Sequence, residues 1–80
     1  MEMSAAIVQA AKYLGAGICM GLAAIGPAIG EGNIGAHAMD AMARQPEMAG
    51  NLRISMIIAD AIAETTGLYG LLISFMILFA

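Results

Sequence analysis

Two glutamates interrupt the apolar stretches of this chain of 80 residues: Glu31 in IGEGNIG and Glu64 in AIAETTGLY. A carboxyl group in such surroundings holds either a proton or a cation, and burying it is costly enough to mark a functional site. Thr65 and Thr66 directly follow Glu64. A hydroxyl beside a carboxylate offers the hard oxygen ligands that alkali and alkaline-earth ions prefer. Threonine in a membrane helix also bonds its own backbone carbonyl, so one hydroxyl alone decides nothing. Two ionised carboxylates cannot share a dry site. One is expected to keep its proton while the other takes a cation, which leaves the occupied site neutral. A buried acid pair can also simply lock two helices together. Asp60, one turn before Glu64, is a further acid that either lines an ion route or sits hydrated nearer the polar end of its helix.

The elements that hold these acids follow from the apolar runs. Tyr13 to Gly30 reads YLGAGICMGLAAIGPAIG without a charge, and Ile54 to Ala80 is apolar except for Asp60 and Glu64. Each run is long enough to cross a bilayer core. Between them lies MARQPEMAGNLR, and the residue before a proline disfavours helix, so Gln45-Pro46 reads as a turn. The spacing predicts helices over 4–43 and 48–79, a polar loop over 44–47, and one transmembrane hairpin over 1–80. The fold class is all-α, because no stretch alternates apolar and polar residues as a membrane strand would. Glu31 and Glu64 lie 15 and 18 residues from Pro46. At the helical rise that is roughly 22 to 27 Å, so antiparallel helices bring both carboxylates to a similar depth.

Composition removes the competing classes. The chain is 61% hydrophobic and 11% charged, against about 25% charged in soluble domains, and it is far too apolar for disorder. Three basic against six acidic residues give net −3, which excludes a nucleic-acid partner. The single Cys19 excludes an internal disulfide framework and a structural zinc site. Lys12 and the run after it imitate a signal peptide, but Glu2 sits where positive charge belongs and the run continues into GEGNIG. Arg44 and Arg53 flank the loop while only Lys12 lies near the other end, which places the loop in the cytoplasm and both termini outside. With no nucleophile-base pair and no phosphate loop, the chain alone is expected to catalyse nothing.

Small residues recur at every second position of the first helix: Ala24, Gly26, Ala28, Gly30 and Gly32. At about 100° per residue, Ala24, Ala28 and Gly32 fall on one flank, and Gly26 and Gly30 on the opposite one. Such faces let membrane helices approach closely. Two of them on opposite sides allow an equivalent neighbour on each flank, a head-to-tail contact that closes into a homo-oligomeric ring.

A glycine-rich first helix, the loop Ala43-Arg44-Gln45-Pro46 and a second helix with Glu64 at mid-depth together resemble the c-subunit family of F-type ATP synthases, over essentially the whole chain. The resemblance implies a non-enzymatic rotor component that assembles into a ring and carries ions by reversible binding at Glu64, coupled to ATP synthesis or hydrolysis. It implies an arginine-bearing partner (the a-subunit of the stator), central stalk proteins gripped by Arg44, Gln45 and Pro46, surrounding lipid, and a bacterial inner or plasma membrane. Glu31 with Ile62-Ala63-Glu64-Thr65-Thr66-Gly67-Leu68-Tyr69 is most similar to the sodium-binding members. Those members imply sodium ligands from Glu31, the Ile62 carbonyl, Glu64 and Thr65. They also imply a water held by Thr66, a Tyr69 hydroxyl that steadies the carboxylate, and no organic cofactor. Many of them carry Gln where this chain has Glu31, and a second carboxylate there favours a proton, so a proton rotor of the same fold stays open. A small structural or pore-forming hairpin is the reading from another class, and it needs no matched pair of mid-membrane acids.

Overall fold

The computed structural model describes residues 2–80, and they form a two-helix hairpin. α1 runs over Met3–Arg44 and α2 over Ala49–Phe79, joined by a 3-10 turn at Pro46–Met48. The turn has a local cause. Pro46 removes a backbone donor and forces Gln45 out of helical geometry, to φ −132° and ψ 73°. The Gln45 N–H still closes α1 by donating to the Ala41 carbonyl at 2.9 Å, and the Met48 N–H donates to the Gln45 carbonyl at 2.9 Å. Arg44, expected in the loop, is instead the last residue of α1, where its charge complements the negative end of the helix dipole. The hairpin is 65 Å long, about twice the hydrocarbon thickness, so its ends project beyond the bilayer core.

Small residues set the contact between the helices. The buried residues are Ala16 and Pro27 on α1, and Gly67, Gly70 and Ser74 on α2. The α2 set has the spacing of one helical face. At Gly70 the helices pinch so closely that an added Cβ would collide with the Cβ of Ala23. Pro27 lies inside α1 without ending it, and its face is covered by α2, the condition under which membrane helices tolerate such a break. The Ser74 hydroxyl lies 2.8 Å from the Gly70 carbonyl of its own helix and 3.2 Å from the Ala16 carbonyl of α1, so its one proton is shared between the two. Away from the seam, large side chains such as Leu14, Leu22, Ile29, Ile57, Leu68 and Met76 are exposed, an outer surface suited to lipid and to other apolar helices.

Interhelical hydrogen bonds in membranes average about 0.6 kcal/mol. Ser74→Ala is therefore expected to cost about 0.5–1 kcal/mol of hairpin stability, read as a lower unfolding midpoint in a denaturing-detergent titration. An unchanged midpoint would show that the Ser74–Ala16 bond adds nothing net to the seam.

Candidate functional site

The antiparallel pairing brings the acids together. Glu31 on α1 and Glu64 on α2 come near enough for their carboxyls to interact. Both glutamates are half-buried, on the sides of α1 and α2 that turn towards the seam. Glu64 does not extend outward. Its Oε1 lies over Gly67, 2.8 Å from where a Cβ on that glycine would stand, and Pro27 Cγ lies 3.4 Å from the same point. A side chain at position 67 would thus meet both the Glu64 carboxyl of its own helix and Pro27 of the other.

Asp60 is half-buried, one helical turn closer to Pro46 than Glu64. Its Oδ1 is buried and has no hydrogen-bond partner among the described residues. Among those residues the three acids nevertheless do not converge as a cluster for a metal of the His/Cys/Asp/Glu type.

The ligand set implied by the resemblance is not gathered within one hairpin. Ile62 is 69% exposed and Tyr69 63% exposed, both on the side of α2 turned away from α1. Thr65 is also exposed, and its hydroxyl donates to the Ala61 carbonyl one turn back, at 3.2 Å. The Tyr69 hydroxyl, on that outer side, does not reach Glu64 within the hairpin. Thr66 is likewise exposed. The physical reason is angular: at about 100° per residue, Ile62 and Thr65 share a face that Glu64 does not. Glu31 and Glu64 therefore turn towards the seam, while Ile62 and Thr65 lie on another surface.

The small residues of α1 also divide. A Cβ added at Gly17, Gly21, Gly26, Gly32 or Gly35 would meet nothing within 4 Å, whereas one at Gly30 would lie 3.9 Å from the Ala63 Cβ. Gly26 and Gly32 keep open flanks as expected. Gly30 leans onto α2 rather than standing free beside Gly26.

Sequence patterning alone passed over Gly67, Gly70 and Ser74. The signal was present in the glycine three residues after Glu64, because that spacing places it one turn along the same side of the helix.

Known proteins share much of this sequence. A sequence model of the family described as the C subunit of ATP synthase matches residues 14–77. The chain is 66% identical over 77 residues to the ATP synthase c subunit of Thermotoga petrophila, covering 96% of this chain and 91% of that protein. To the ATP synthase c subunit of Petrotoga mobilis it is 65% identical over 68 residues, covering 85% of this chain and 71% of the relative. The chloroplastic ATP synthase c subunit of Cyanidioschyzon merolae is 45% identical over 75 residues, covering 94% and 93% respectively.

Proposed function

This chain belongs to the ATP synthase c-subunit family, the non-catalytic membrane rotor of that complex, and from that premise we propose that it carries sodium by reversible binding at Glu64. The observation that carries the reading is a pair of half-buried carboxyls, Glu31 and Glu64, close to one another in an otherwise apolar hairpin. With one of them protonated, a bound cation leaves the site neutral, which lets it travel past lipid. A site in which both were ionised would have to carry an uncompensated charge through the same medium.

A second copy completes the coordination. Its exposed Ile62 and Thr65 face supplies a carbonyl and a hydroxyl beside the Glu31 and Glu64 of the first. Donating to Ala61 occupies the Thr65 proton but leaves the hydroxyl lone pairs free for a cation. This favours sodium over a proton-only site, which has no use for an added oxygen ligand. Thr66 holds a water and Tyr69 steadies the carboxylate from the same face. Copies pack through the open flanks at Gly26 and Gly32 into a ring. The stator's a-subunit exchanges the ion, and the exposed Arg44, Gln45 and Pro46 at the turn engage the central stalk. The membrane is the bacterial plasma membrane, with the turn cytoplasmic and both termini outside.

Dicyclohexylcarbodiimide enters apolar sites and reacts with protonated carboxyls, so it tests the ion directly. Glu64 is expected to be modified, and added sodium is expected to slow the reaction by displacing the proton. Protection should strengthen as pH rises and protons become scarcer, and it should weaken in Thr65→Ala. Labelling indifferent to sodium from neutral to alkaline pH would make this a proton rotor.

A further inference from the structure

We infer that Gly67 is a positioning residue for the Glu64 carboxyl: its missing side chain is the seat into which that carboxyl folds. Glycine is a poor helix former, and it is usually retained either for an unusual backbone conformation or for space. The first reason does not apply, because no glycine in the described chain has a positive φ. Gly67 is buried in the middle of α2 in ordinary helical geometry. Space is what remains.

The space is already occupied, and by the residue at issue. A Cβ on Gly67 would stand 2.8 Å from Glu64 Oε1, closer than real Cβ atoms approach an oxygen, and 3.4 Å from Pro27 Cγ. The nearer atom is the far end of a flexible side chain, so the helices need not separate to relieve the conflict. The carboxyl swings out instead. Gly70 differs in kind, because a Cβ there would collide with Ala23 on the opposite helix, with no flexible group to yield. Gly70 sets how closely the helices approach; Gly67 sets where the carboxyl rests. With Gly67 in place, Glu64 Oε1 rests in the space that a Cβ would need, at the point of α2 that Pro27 approaches. Any side chain at position 67 turns it towards the outer surface.

This inference rests on the reading of Glu64 as the ion carrier, and the experiment separates the two. In membranes containing the assembled enzyme, the rate at which dicyclohexylcarbodiimide modifies Glu64 is compared between the unaltered chain and Gly67→Ala in sodium-free buffer. An outward carboxyl is more accessible, so Gly67→Ala is expected to be labelled severalfold faster. Stability of the solubilised assembly is then followed through the cycle Gly67→Ala, Glu64→Ala and the double variant, which isolates the coupling between the two positions. Gly67→Ala is expected to be better tolerated once the carboxyl is gone; should the single variant fail to assemble, recovery in the Glu64→Ala background gives the same support. An unchanged labelling rate, or an identical stability effect with and without the carboxyl, would overturn the inference and leave Gly67 a packing glycine. Absence of Glu64 labelling in the unaltered chain would bring down the ion-carrier reading and the inference with it.

Discussion

Glu64→Gln is expected to abolish ion-driven turnover while leaving the assembled ring intact. The amide is nearly the same shape and still fits over Gly67, so packing at the seam is conserved. What disappears is the ability to exchange a proton or neutralise a cation. A charged ligand worth about 1.5–3 kcal/mol corresponds to about a ten- to hundredfold loss of affinity, so ion-coupled ATP synthesis is expected to fall by at least about tenfold. Glu31→Gln should be far milder, because its amide keeps a carbonyl oxygen for the ion and a donor for Glu64. Proteoliposomes containing each variant would show the order. Equal loss at both positions would mean that the ion belongs to the pair, and undiminished synthesis in Glu64→Gln would remove Glu64 as carrier.

Gly26→Leu is expected to prevent ring assembly altogether. A Cβ at Gly26 meets nothing in the single hairpin, so the substitution leaves the fold of one chain undisturbed. Its effect falls on the neighbour that the open flank admits, because a leucine holds apart two backbones that small residues allow to touch. Gly30→Leu is the poorer probe, since position 30 already faces Ala63 across the seam and a leucine there would strain the hairpin as well. Native mass of the detergent-solubilised assembly should show one discrete large oligomer for the unaltered chain, and monomers or a ladder of small species for Gly26→Leu. Leu72→Ala, on the exposed side of α2, should assemble normally. A Gly26→Leu chain that forms the full oligomer would refute packing through the two flanks.

Depth along the hairpin was legible in the sequence, and rotation about each helix was not. The rise per residue is set by backbone hydrogen bonds that every helix makes in the same way. Counting from Pro46 was therefore enough to expect Glu31 and Glu64 at a similar depth, and the two helices bring them near one another. The turn was equally legible, because proline acts on Gln45 through local sterics alone. Which side of a helix faces its partner depends on how two surfaces interlock. Only the tertiary structure decided that Gly67, Gly70 and Ser74 form the seam, that Asp60 turns inward with an unpaired oxygen, and that Ile62, Thr65 and Tyr69 turn out. An apolar environment gives little guidance from pattern, since lipid and helix interior are both apolar. Small residues and close contacts choose the orientation there, and those contacts exist only once both helices are in place.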